Sequence, residues 1–102
     1  MFLENYLDDF YYNQVIDNYK YDYLNNLDYN NFNEIYNILL KYNFDYISDI
    51  ILNYLELFEL DPNYVEEKIK KIIEYLGNDY VRIIGKDMRY FTLIIDGNLD
   101  TN

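Results

Sequence analysis

Residues 45–77, DYISDIILNYLELFELDPNYVEEKIKKIIEYLG, carry the densest helix signals in the chain. They read as two helices. In the first, Ile47, Ile50, Ile51, Tyr54, Leu55 and Phe58 recur at a spacing that, at about 100° per residue, gathers them on one side. Asp45, Asp49, Glu56 and Glu59 fall opposite, within about 80° of one another. The second helix opens with Asp61 as N-cap and Pro62 in its first turn, and Leu60 and Val65 are spaced for a hydrophobic staple across the cap. Gly77 should end it. Between those limits Val65, Ile69, Ile72, Ile73 and Leu76 form one apolar stripe.

Upstream, the pattern predicts a helix over residues 2–12, with Leu3, Tyr6, Leu7 and Phe10 inward and Asn5, Asp8, Asp9 and Tyr12 outward. Residues 14–28 fit two patterns. Ile16, Tyr19, Tyr23, Leu24 and Leu27 make a helix face, whereas Tyr19, Tyr21 and Tyr23 alternating with Lys20 and Asp22 make a short strand; the helix is preferred. Asn31 is the expected cap of a third helix, with Glu34 at the capping-box position and Phe32, Ile35, Tyr36 and Leu39 inward. Asn43 and Asp45 mark the break before the central pair.

Downstream of Gly77 the texture changes. DYVRII and MRYFTLII are rich in β-branched and aromatic residues on either side of Gly85-Lys86-Asp87, which predicts a hairpin with a three-residue loop and Val81, Ile83, Phe91, Leu93 and Ile95 on one face. The rival is a short helix capped by Asp87 and ending before Gly97, with Met88, Phe91, Thr92 and Ile95 on one side. The expected fold is therefore α+β and mainly α. It is a single domain over residues 1–102: a bundle of four to five helices over about residues 2–76 and a C-terminal β-hairpin over about 79–96, with an all-α fold as the alternative.

The chain has 102 residues, a formal charge of −11, 51% apolar and 21% aromatic residues, which is enough apolar material for a core. No Cys is present, so neither a disulfide framework nor a thiolate zinc site can form. The acidic start MFLENYLDDF is unlike a secretory leader, and no apolar run nears the roughly 18 residues of a membrane span, so a cytoplasmic location is expected. Tyr and Asn each occur 15 times and Ala never, as in genes biased towards A and T. That bias should also enrich Lys, yet only six Lys stand against 19 Asp plus Glu. The acidity therefore has another origin. It is also uneven: residues 1–67 hold 14 acids against Lys20 and Lys41, while residues 68–102 hold five acids against six bases.

The inventory for chemistry is thin. With no His, no Cys and Ser48 as the only serine, neither a triad nor a cysteine nucleophile can be assembled, and no catalytic residue is assigned. Asp8-Asp9 and Glu66-Glu67 are adjacent residues that diverge on a helix, and Glu66-Lys70 and Glu67-Lys71 read as solvated i,i+4 pairs. Asp96, Asn98, Asp100 and Asn102 alternate as in a calcium loop, but the Gly at position six and the closing Glu are missing, so no metal is expected. No Gly-rich phosphate cradle is present, and no cofactor is expected. Lys68, Lys70, Lys71, Arg82, Lys86 and Arg89 are too neutralised by nearby acids to bind duplex, so direct nucleic-acid binding is not expected.

What remains is the acidic surface. As one helix, residues 45–59 would carry their carboxylates over about 21 Å, comparable with several phosphates of a strand. Leu52 falls inside that row on the helical wheel, an apolar centre ringed by charge. Asp8, Asp9 and Tyr12 add an outward group with large contact area. The expected partner-binding residues are thus Asp45, Asp49, Leu52, Glu56, Glu59, Asp8, Asp9 and Tyr12, and the expected partner is a basic protein. In size, charge, composition and lack of catalytic residues the whole chain resembles small acidic phage-encoded inhibitors, the anti-CRISPR proteins and DNA mimics. The resemblance implies a stoichiometric, non-enzymatic inhibitor occupying the nucleic-acid-binding or PAM-reading surface of a defence nuclease such as a Cas effector. An immunity protein or antitoxin that neutralises a basic toxin, and a non-catalytic acidic interaction module, are the alternatives.

Overall fold

The computed structural model describes residues 1–98, and among them every regular element is helical. Seven α-helices run in order among these residues: α1 (Asp9–Asn18), α2 (Tyr21–Asn25), α3 (Tyr29–Lys41), α4 (Ile47–Asn53), α5 (Pro62–Leu76), α6 (Tyr80–Lys86) and α7 (Arg89–Asp96). Short 3-10 turns cover Phe2–Asn5, Leu55–Glu59 and Gly77–Asp79. Helix α3 lies at the centre, packed on α5, on α4 and on the Leu55–Glu59 turn. Helix α1 covers α4, while α6 packs on α5 and α7 packs on both α5 and the Leu55–Glu59 turn. One continuous core runs from Leu3 to Ile94. Phe32 and Phe58 stack inside it at 4.5 Å, with the edges of Phe2 and Tyr6 against Phe32. Phe44 is edged by Tyr46, Tyr80 and Phe91 in a second aromatic group. No described helix is long and apolar enough to cross a membrane.

Helix α5 forms as its local signals require. The Asp61 side chain accepts from the Asn63 N–H at 3.0 Å, Pro62 opens the first turn, and Gly77 ends the helix at φ 79°. Val65, Ile69 and Ile72 are buried, with Ile73 and Leu76 at the margin of the core. The break after α3 is equally local: Asn43 takes φ 67°, its N–H bonds the Leu40 carbonyl and the Phe44 N–H bonds that of Leu39, a Schellman ending.

The C-terminal β-hairpin over 79–96 is not formed. Those residues make α6 and α7, so the all-α alternative describes the fold. Gly85, which reads as a turn signal, serves a different purpose. It lies inside α6 against the Tyr46 ring, where a Cβ would come within 2.9 Å of Tyr46 Cε1, and the Tyr46 hydroxyl donates to the Val81 carbonyl one turn earlier. Burial of Ile84, Phe91 and Ile94 at helical spacing outweighs the strand propensity of their neighbours. The rival helix is close to what forms: Asp87 accepts from the Arg89 N–H and Gly97 ends α7 in the left-handed region, although Ile94 is buried where the pattern favours Ile95.

Three further boundaries differ from expectation. Residues 2–12 are not one helix, because Asp8 turns extended and caps α1 by accepting from the Tyr11 N–H at 2.9 Å. Phe10 consequently points outward at 65% exposure, and Val15 is buried in place of Ile16. Within residues 14–28, those up to Asn18 and Tyr21–Asn25 are helical, with an extended corner at Tyr19 and Lys20 and a turn at Asn26 and Leu27 leading to the extended Asp28. Asp28, not Asn31, caps α3; Asn31 Nδ2 instead donates to the carbonyls of Phe58 and Leu60 at 2.7 and 2.9 Å, supplying partners to the end of the 3-10 turn.

Candidate functional site

The segment 45–59 is also not one helix. Helix α4 stops at Asn53, Tyr54 departs from helical geometry at φ −137° and ψ 44°, and the 3-10 turn follows. The reason lies in the apolar residues themselves. On one wheel Leu55 and Leu57 would stand about 160° apart, wider than the roughly 100° stripe a packed helix buries. The break lets Leu55, Leu57 and Phe58 all be buried. Each such side chain contributes roughly 1.5–3 kcal/mol, more than the hydrogen bonding lost at one residue.

The acidic residues are consequently distributed along a bent support. Asp45 is exposed and precedes α4, Asp49 is half-buried in its first turn, and Glu56 and Glu59 are exposed on the 3-10 turn. Leu52 packs partly against the core, and its carbonyl accepts from the Tyr19 hydroxyl at 3.1 Å. Asp8 and Asp9 are exposed at the start of α1, while Tyr12 is half-buried and donates to Glu4 Oε1 at 3.1 Å.

Tyrosines from α1 and α2 bind these two groups to one support. Tyr11 Oη donates to Asp49 Oδ1 at 2.8 Å and Tyr23 Oη to Glu59 Oε2 at 2.5 Å. Since the Tyr11 N–H also bonds Asp8, one residue connects the acids at the start of α1 to those of α4. The carboxylates act back on their donors. The bond to Asp49, then desolvation, then the charges of Asp49 and Asp8 raise the Tyr11 hydroxyl above its ordinary value. Burial, the bond to Glu59 and the charges of Glu59 and Glu56 raise that of Tyr23 strongly. Tyr11, Tyr19 and Tyr23 are not among the expected site residues. The one sequence signal for them is the excess of Tyr over Lys beside so many acids.

Three later carboxylates are held by cations instead. Glu66 accepts from Lys41 Nζ at 2.7 Å as well as from the Tyr42 hydroxyl, Asp79 pairs with Arg82, and Asp87 takes Arg89 through two bonds at 2.8 and 2.9 Å. Among the described residues no group of three or more Asp or Glu could hold a metal ion, and no buried side-chain polar atom lacks a hydrogen bond. Of the alternating oxygen ligands at the C-terminus, Asp100 and Asn102 lie outside the described residues. No family model, curated protein or solved structure matches this chain.

Proposed function

We propose that this protein is a stoichiometric inhibitor that binds the basic, nucleic-acid-binding surface of a defence nuclease, in the manner of an anti-CRISPR protein encoded by a phage or mobile element. The observation that supports this best is the pairing of Asp49 and Glu59 with neutral tyrosine hydroxyls. A neutral donor fixes a carboxylate in place and leaves its charge uncancelled. A row of fixed, uncancelled anions is what a phosphate backbone offers to a basic groove. Asp45, Asp49, Glu56 and Glu59, with Asp8 and Asp9 joined to them through Tyr11, supply the anions; Leu52 and Tyr12 supply apolar contact. On this reading the protein carries out no reaction, needs no cofactor, is repelled by nucleic acid itself, and acts in the cytoplasm of the host cell.

The test is a DNA-cleavage assay with a Cas effector to which the protein is added. Cleavage should stop near an equimolar ratio, and protein and target DNA should exclude one another on the effector. A variant combining Asp45→Asn, Asp49→Asn, Glu56→Gln and Glu59→Gln retains acceptors for Tyr11 and Tyr23, so it should fold normally and lose inhibition. Equal inhibition by that variant at low salt defeats the mimicry reading. Protection against a basic toxin, with no effect on nucleases of defence systems, would replace it with the immunity-protein reading.

A further inference from the structure

The corner between α1 and α2 opens a groove of about 380 Å³ lined by Asn18, Tyr19, Lys20, Tyr23 and Glu56. Its shape follows from the backbone. Tyr19 and Lys20 are both extended, so α2 starts in a new direction, and the rings of Tyr19 and Tyr23 stack with centroids 5.8 Å apart and planes 24° from parallel. Both rings are anchored at their hydroxyls, Tyr19 to the Leu52 carbonyl and Tyr23 to Glu59. Both anchors belong to the segment that carries Glu56. Neither ring can swing away without giving up its bond.

Glu56 is exposed and makes no hydrogen bond or ion pair among the described residues. Lys20 lines the same groove and likewise forms no ion pair there. Glu59, which accepts from the Tyr23 hydroxyl, adds a second carboxylate beside the groove against the single charge of Lys20. Held aromatic rings beside a carboxylate with unused acceptors complement a guanidinium, which is planar, stacks on aromatic surfaces and donates through a flat fork. An ammonium would answer the carboxylate but gain less from the flat stack.

We propose that this groove takes an arginine side chain of the partner protein, its guanidinium lying on the Tyr19–Tyr23 pair and donating to Glu56. The inference rests on the reading of the acidic face as a protein-binding surface and names the side chain that the face grips. Lys20 places a like charge in the same groove and so opposes an incoming guanidinium.

The test titrates the intact protein with hexa-arginine, hexa-lysine and hexa-citrulline peptides and follows the ring signals of Tyr19 and Tyr23 by NMR. Hexa-arginine should move those rings first and bind about threefold or more tightly than hexa-lysine, which carries the same charge; hexa-citrulline should not bind. Glu56→Gln, an exposed change that leaves the fold intact, should abolish the preference for arginine, and Tyr19→Leu should reduce it. Lys20→Gln should tighten arginine binding by removing a like charge from the groove, a gain that damage to the fold cannot produce. Equal binding of the two cationic peptides, rings that do not move, or a preference that survives Glu56→Gln overturns the proposal. These peptides test the groove without any nuclease. Inhibition of a Cas effector without arginine preference would sink the groove alone, and arginine preference without inhibition would sink the nuclease reading alone.

Discussion

Asp49 and Glu59 meet the hydroxyls of Tyr11 and Tyr23, whereas Glu66, Asp79 and Asp87 meet Lys41, Arg82 and Arg89. Both arrangements satisfy a carboxylate. Only the second cancels its charge. Asp49 and Glu59 are therefore held in position while the field they create persists, and Glu66, Asp79 and Asp87 are locked into pairs that a distant partner scarcely feels. Asp8, Asp9, Asp17, Asp22, Asp45, Asp49, Glu56 and Glu59 lie on or beside α1, α2, α4 and the Leu55–Glu59 turn, against Lys20 alone. The turn that carries Glu56 and Glu59 tolerates self-repulsion because it stands on a buried aromatic base and not on the charges themselves.

The strongest way to break this contrast is to remove that base. Phe58 is buried, stacks on Phe32, and lies in the same 3-10 turn as Glu56 and Glu59. Phe58→Ala should cost about 3–5 kcal/mol in urea unfolding. A loss below about 1 kcal/mol would mean that the acidic turn is not carried by the core.

On the cation-paired side the weak point is the approach of α6 to Tyr46. Gly85→Ala gains about 1 kcal/mol of helix propensity but forces a Cβ into a ring tethered by its hydroxyl, for a net loss of about 1 kcal/mol. With Tyr46→Ala in place, the same substitution should become stabilising. A stabilising Gly85→Ala in the wild-type background would show that the ring yields freely.

Tyr23→Phe should cost at most about 1 kcal/mol, since it deletes one hydrogen bond and no packing. The net charge is unchanged, yet Glu59 is released to move, so partner binding should fall although no anion has been lost. The same hydroxyls set the alkaline limit. Burial pushes Tyr6 up to about 12, and Tyr23 and Tyr46 are raised further. An acid whose folded pKa exceeds its unfolded value contributes stability that is complete below the unfolded value and is lost as pH rises through the folded one. Stability should therefore decline as pH climbs beyond about 10, the ordinary tyrosine value, and Tyr23→Phe should soften that decline. Stability that stays unchanged well beyond the pH at which tyrosine ionises in peptides would contradict it.

Arg82→Gln should have the smallest effect. Its pair with Asp79 is exposed, so the urea midpoint should not move measurably, and added salt should leave wild type and variant alike. At the acid end the order reverses. Glu66, Asp79 and Asp87 are held below the usual carboxylate range by Lys41, Arg82 and Arg89. Their contribution is present above the unfolded value near 4 and fades as pH falls through the folded one; because the Asp79–Arg82 pair is exposed its share is small, so Arg82→Gln should change the acid limb as little as it changes the midpoint.

Helix α5 was readable residue by residue, from the Asp61 cap and Pro62 to Gly77, as was the break at Asn43, because every signal acts within about one turn of its own position. Helical character through most of the chain followed likewise from apolar spacing. The acidity of the surface needed nothing but a count of charges. Packing settled the rest. Tyr54 leaves the helix because Leu55, Leu57 and Phe58 must all reach the interior, and Gly85 sits in a helix because the Tyr46 ring approaches it. The candidate site is the extreme case: its acids could be named in advance, but Tyr11 meets Asp49 across 38 positions and Tyr23 meets Glu59 across 36. No periodicity spans such distances, since a hydroxyl finds its carboxylate only after the core has brought two remote helices together.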